Sequence, residues 1–141
     1  MTDTDPSQIK GFNRARERAA RALLEDYVEM IADLTAEFGE ARITEIAARL
    51  GVAHPTATKA VARLKREGLA VSRPYRGVFL TETGEALAAQ VRERHRTVVA
   101  LLRAVGVPEE VAEIDAEGIE HHVSSRTLEA FEAFLASKAG K

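Results

Sequence analysis

The residue types best suited to chemistry stand close together in the last third of the chain. Residues 117–122 are Glu-Gly-Ile-Glu-His-His. On a helix, positions i, i+3 and i+4 share one face, so Glu117, Glu120 and His121 would direct two carboxylates and one imidazole to one point. Oxygen and imidazole ligands of this kind suit a hard divalent metal ion. A solvated acidic helix face would show the same residue pattern, so the motif alone leaves both interpretations open.

Cysteine usage narrows the kinds of site that the chain can build. None of its 141 residues is a cysteine, which excludes disulfides, thiolate zinc sites, iron–sulfur clusters and a cysteine nucleophile. A metal ion here must be held by oxygen and imidazole. No run of about 18 apolar residues and no signal-peptide pattern occurs, so we expect a cytoplasmic protein that is soluble and has no membrane partner.

Charge is distributed unevenly along the chain although the net charge is only −2. Residues 52–80 contain six basic side chains against the single acidic Glu67, whereas residues 109–120 contain six acidic side chains and no basic one. The first segment suits an anionic partner and the second a cation.

A long amphipathic helix is predicted near the N-terminus, after a mobile tail over residues 1–12. The helix is expected over about residues 13–37. Asp26 and Glu29, at i and i+3, fall beside its apolar stripe. The residues of that stripe are Leu23, Leu24, Tyr27, Ile31, Leu34 and Phe38.

The central segment has the pattern of a winged helix-turn-helix. Thr44 can cap a short helix that ends at Gly51, and Pro55 can begin a second helix. Two short extended segments then flank a turn with a basic tip, which predicts a wing. The second helix of such a motif enters the major groove of DNA, whereas a plain helical hairpin would only expose its basic residues to solvent. The predicted DNA-binding residues are Pro55, Thr56, Thr58, Lys59, Arg63, Arg73 and Arg76.

Three further helices are predicted after the wing. Thr81 can cap a long helix that carries His95, Pro108 starts the helix with the acidic motif, and Ser124 or Ser125 can cap the last one.

These motifs, in this order, resemble the manganese-transport regulators of the diphtheria-toxin-repressor family. The resemblance covers about residues 23–134, and residues 117–122 are its most specific part. The other matching segments are residues 26–29, 75–77 with 80–84, the Arg94-His95 pair and 115–116.

The resemblance implies a mainly α fold, with an N-terminal winged helix-turn-helix followed by an α-helical metal-binding and dimerisation domain. The expected divisions are an N-terminal extension, partly disordered, over residues 1–22, the DNA-binding domain over 23–81 and the helical domain over 82–141. It also implies a homodimeric repressor, not an enzyme, that binds operator DNA and is activated by manganese without an organic cofactor.

Two Mn²⁺ ions per subunit are expected from the same resemblance, with Glu117 and Glu120 shared between them. Asp26 and His121 would complete one position, and Glu29 and His95 the other.

Three alternatives remain beside this expectation. Iron-responsive relatives carry Met in place of Asp26 and Cys in place of Glu120, so the two carboxylates favour manganese over iron. A winged-helix regulator with an organic effector would need an apolar pocket. A carboxylate-bridged oxidase would place a Glu-x-x-His motif on each of two helices, and no second motif of that kind is present.

Overall fold

The computed structural model describes residues 5–139 and is mainly helical, as predicted. Residues 24–94 form one compact unit, and residues 95–139 form a second unit with residues 5–23. The division falls inside α4, beyond the boundary at residues 81 and 82 that the sequence suggests. The elements are α1 Pro6–Phe38, α2 Ile43–Leu50, α3 His54–Arg66, β1 Ala70–Arg73, β2 Gly77–Leu80, α4 Glu82–Ala104, α5 Glu109–Ile119 and α6 Ser125–Ala139.

Helix α1 begins earlier than the sequence suggested, at Pro6 instead of near residue 13. Asp5 Oδ1 accepts a hydrogen bond from Ser7 N at 3.0 Å, which satisfies a free donor of the first turn, and proline is favoured there. The alanine and arginine residues that follow favour helix. The expected tail is therefore helical from Pro6 onward, and residues 1–4 lie outside the described part of the chain.

The predicted stripe of α1 is buried only in its middle. Tyr27, Ile31 and Leu34 are fully buried, but Leu23 and Phe38 are 49% and 59% exposed. The buried part packs in the core of the unit 24–94, with Ile46 of α2 and Leu64 of α3.

The helix-turn-helix forms as predicted, with shifted starting residues. Arg42, in extended conformation, is the N-cap of α2, so Thr44 lies inside that helix. Gly51 ends α2 in the left-handed conformation, at φ 69°. Ala53 is the N-cap of α3, which places Pro55 at its second position.

The wing is an antiparallel hairpin of β1 and β2, with Arg73 opposite Gly77. Val78 N donates to Ala41 O at 2.8 Å, which ties the hairpin to the segment before α2. Gly77 has φ 102°, and a Cβ there would lie 2.5 Å from the Ala41 oxygen. Only glycine fits this approach.

The caps predicted after the wing are present. Thr81 Oγ1 accepts from Gly84 N at 3.1 Å at the start of α4, and Ser124 Oγ accepts from Thr127 N at 3.2 Å at the start of α6. Pro108 is the N-cap of α5. Within residues 5–139, no helix is both long and apolar enough to cross a membrane.

Candidate metal centre and nucleic-acid interface

The acidic motif lies at the C-terminal end of α5. The helix ends at Ile119, so the prediction that one helix carries all three residues is wrong for Glu120 and His121, which lie in the following turn. Glu120 keeps helical dihedral angles, φ −57° and ψ −29°, and its N–H bonds to Ala116 O. The spacing from Glu117 is therefore preserved although the helix has ended.

Three of the predicted ligands converge. One ligand atom each from His95, Glu117 and Glu120 lies within 4.8 Å of the other two. His95 Nδ1 is 2.6 Å from Glu120 Oε2 and 3.6 Å from Glu117 Oε1. His121 Nε2 is 3.4 Å from Glu120 Oε1. Glu120 is fully buried and His121 is buried, whereas Glu117 is exposed.

Burial and charge both perturb this cluster. Burial, together with the negative charge of Glu117, raises the pKa of Glu120 to about 7. Burial lowers the pKa of His95, but hydrogen bonds to Glu113 and Glu120 outweigh that effect and raise the pKa above its ordinary 6.5. The cluster therefore holds protons close to neutral pH, and a cation would have to displace them.

Glu113 belongs to the cluster although it is not among the predicted ligands. Its Oε2 lies 2.6 Å from His95 Nε2, the ring nitrogen that faces away from Glu120. Its spacing of four residues from Glu117 on α5 was the available signal.

Asp26 and Glu29 lie one turn apart on α1, within the compact unit 24–94, and both are half-buried. The residue before Asp26 is the fully buried Glu25, which forms an ion pair with Arg94 of α4. Arg94 directly precedes His95. This ion pair therefore adjoins two predicted ligands along the chain.

The chemistry of the donor set fits a hard divalent cation. The converging atoms are carboxylate oxygens and imidazole nitrogen, and the chain has no thiol. Such donors suit manganese, iron(II) and zinc better than copper(I) or an iron–sulfur cluster. A fully buried carboxylate also requires a positive partner or a proton.

The predicted DNA-reading face of α3 is exposed. Ala57, Val61 and Leu64 are buried and orient the helix. Arg63 is half-buried, with Nε 3.6 Å from Glu67 Oε2. The remaining predicted residues of α3 are exposed: Pro55, Thr56, Thr58 and Lys59.

The two wing arginines share one aromatic platform. The guanidinium carbons of Arg73 and Arg76 lie 4.5 and 5.1 Å from the centre of the Phe79 ring. Such cation–π contacts hold both charges on one side of the hairpin. Tyr75, at the tip, is 97% exposed and has φ 64°, a rare conformation for a non-glycine residue.

Comparison with known proteins decides the family. Residues 22–78 match the family model "Iron dependent repressor, N-terminal DNA binding domain", and residues 81–138 match "Iron dependent repressor, metal binding and dimerisation domain". The chain belongs to the diphtheria-toxin-repressor family of iron-dependent repressors. It is thus a metal-dependent, DNA-binding transcriptional regulator and not an enzyme.

Individual relatives agree with this assignment. The transcriptional regulator MntR of Escherichia coli O157:H7 is 49% identical over 137 residues, which cover 97% of this chain and 88% of that protein. MntR of Salmonella typhimurium is 52% identical over 126 residues, or 89% of this chain and 80% of that protein. The solved structure "Manganese-dependent transcriptional repressor complex with manganese" is 28% identical with a TM-score of 0.66, covering 79% of this chain and 51% of that one.

Proposed function

We propose that this family member is a manganese-activated repressor of metal-ion homeostasis, acting as a homodimer on operator DNA in the cytoplasm. The convergence of His95, Glu117 and Glu120 within 4.8 Å, in a chain without thiols, carries the proposal. The match to a metal-binding and dimerisation domain supports the homodimer. The similar solved structure of a manganese-dependent transcriptional repressor in complex with manganese supports the choice of metal.

The proposed ligand set is larger than the observed cluster. Two Mn²⁺ ions per subunit would share Glu117 and Glu120, and four further ligands would complete the two positions. These four are Asp26, Glu29, His95 and His121.

The protein's own groups prepare the observed cluster for a cation. Glu120 is fully buried, so its ionised form is costly until a positive charge compensates it. In the metal-free protein His95 supplies that charge, because its raised pKa favours the imidazolium between Glu113 and Glu120. A bound divalent ion would supply the positive charge instead, and His95 would then offer its Nδ1 lone pair.

Coupling to DNA follows from where the proposed ligands lie. Asp26 and Glu29 are on α1, whose buried residues also form the core around the helix-turn-helix. A metal ion that binds them would bias the conformation of the DNA-reading unit, and a coupling of about 1 to 3 kcal/mol suffices for a switch. The proposed DNA contacts are those predicted from the sequence: Pro55, Thr56, Thr58, Lys59, Arg63, Arg73 and Arg76.

The decisive experiment measures DNA binding against each metal. Duplexes selected from a random library in the presence of Mn²⁺ would be titrated, by fluorescence anisotropy, with protein in chelator, Mn²⁺ or anaerobic Fe²⁺. We expect Mn²⁺ to tighten binding about 5- to 150-fold. Glu120→Ala should remove that response, and Glu110→Ala, an exposed residue of the same helix, should retain it. Equal binding in chelator and Mn²⁺ would refute the proposal, and stronger activation by Fe²⁺ would favour the iron-responsive alternative.

A further inference from the structure

The first four turns of α1 lie outside both family models, because the DNA-binding model begins at residue 22. Every residue from 5 to 19 is exposed. Residues 6–21 carry five basic side chains against the single acidic Glu17. An exposed helix segment with this excess of basic residues favours an anionic binding partner.

The basic side chains are not scattered around this helix. At about 100° per residue, Lys10, Arg14 and Arg18 fall within an arc of about 80°, spaced four residues apart. Arg16 points to the opposite side, among Ile9 and Phe12. The three aligned charges extend over about 12 Å of helix, which makes them a row.

Within the described residues this row forms no ion pair, although Glu17 lies about 20° from Lys10 around the helix axis and so at the edge of the row. Like charges four residues apart repel each other along a helix, so an anionic partner would relieve an existing cost. A chain of phosphates matches a row of cations better than a single small anion does.

We propose that Lys10, Arg14 and Arg18 form a second DNA-contacting surface, which binds backbone phosphates of the duplex held by the same protein. The surface adds affinity without sequence preference, because phosphate contacts carry no base information. It rests on the proposed operator binding and extends it beyond α3 and the wing. A membrane fits less well, because Arg16 interrupts the apolar side of this helix segment.

The test uses the full chain and matched substitutions. The variant Lys10→Gln/Arg14→Gln/Arg18→Gln removes the row and keeps good helix formers. Single variants Arg14→Gln and Arg16→Gln differ only in the side of the helix that loses a charge. Binding to a fluorescein-labelled duplex of random sequence would be measured between about 50 and 200 mM salt.

The expected result is a change in salt dependence. Each lost phosphate contact should reduce the slope of log K against log salt by about 0.9, so the triple variant should lose up to about 2.7 and Arg14→Gln about 0.9. Affinity of the triple variant at physiological salt should fall about tenfold to a hundredfold. Arg16→Gln should keep the parent slope.

Several outcomes would overturn the proposal. One is an unchanged salt slope in the triple variant, and another is a decrease in slope in Arg16→Gln as large as that in Arg14→Gln. A third is a shift of the monomer–dimer equilibrium, measured by sedimentation, that accounts for the lost DNA affinity. The row would instead bind a membrane if the parent protein, but not the triple variant, bound phosphatidylserine vesicles while the salt slopes for DNA binding were the same in both. Failure of the proposed function looks different, because the response to Mn²⁺ would then be absent while the slope still changed.

Discussion

Replacing Glu113 tests whether its contact with His95 Nε2 controls how strongly His95 Nδ1 binds a metal ion. Glu113 Oε2 lies 2.6 Å from His95 Nε2 and would keep the proton on that nitrogen when a metal ion displaces the proton from Nδ1, the atom facing Glu117 and Glu120. Glu113→Gln keeps an acceptor of the same shape and removes the charge. We expect weaker manganese binding, because a less basic imidazole is a poorer ligand.

The size of this effect follows from the exposure of Glu113. Carboxylates that orient metal-ligating histidines contribute about 10- to 100-fold to metal affinity. The Glu113 side chain is 51% exposed, so water can replace part of its interaction. We therefore expect the lower limit, about tenfold or about 1.4 kcal/mol.

Protons compete with Mn²⁺ for His95, and this competition acts against the expected loss of affinity. The hydrogen bond to Glu113 also raises the pKa of His95, so Glu113→Gln lowers that pKa and weakens competition by protons. The loss of affinity should be full near pH 8 and smaller near pH 6, because imidazole is mostly neutral at the higher pH whatever its partner.

The measurement is calorimetric titration with Mn²⁺ at both pH values, together with ¹⁵N spectra of the histidine ring. The matched control is Glu110→Gln, which removes the same charge from an exposed position of α5. Equal losses in the two variants would mean a general charge effect. An unchanged affinity with an unchanged His95 tautomer would refute the role of Glu113.

Further tests concern the number of metal ions, the pH dependence, the contacts to DNA and the stability of the fold. His95→Ala should lose one of the two proposed manganese ions, counted by metal analysis; loss of neither or both would contradict the division of ligands. Because the pKa of Glu120 is raised to about 7 and that of His95 above 6.5, apparent manganese affinity should fall as pH drops below about 7, with proton release measured in buffers of different ionisation enthalpy. In chelator the stability of the metal-free protein should change in the opposite direction. The folded state binds more protons than the unfolded chain, so the free energy of unfolding, measured by urea titration, should fall as pH rises through this range. Arg76→Ala should weaken binding to all duplexes alike and reduce the salt slope by about 0.9, and altered base preference would instead assign it sequence reading. Glu25→Gln should lower the free energy of unfolding by about 3 kcal/mol, because it leaves the charge of half-buried Arg94 less compensated, whereas Asp33→Asn in the exposed pair with Arg92 should cost less than about 1 kcal/mol.

The extent of α1 shows where sequence patterns mislead. Pro6 and Gly11 suggested an irregular tail, yet proline is acceptable in the first helical turn and one glycine costs only about 1 kcal/mol. The strong helix formers around them outweigh that cost.

Local spacing alone predicted the helix-turn-helix, the wing, and the adjacency of Glu117 and Glu120, because the periods of helix and strand fix which near neighbours share a face. The sequence also excluded thiolate chemistry outright. It placed His95 on a helix but, apart from the family resemblance, gave no reason for it to meet residues 18 and 25 positions away.

Tertiary packing decided the rest of the site. It brought Glu113 and Glu120 to opposite nitrogens of His95, and it buried Glu120 so that its pKa rises to about 7. It also laid Arg73 and Arg76 over the ring of Phe79. These features depend on which faces of separate elements meet and on how much water is excluded there. The spacing of residues along one element determines neither.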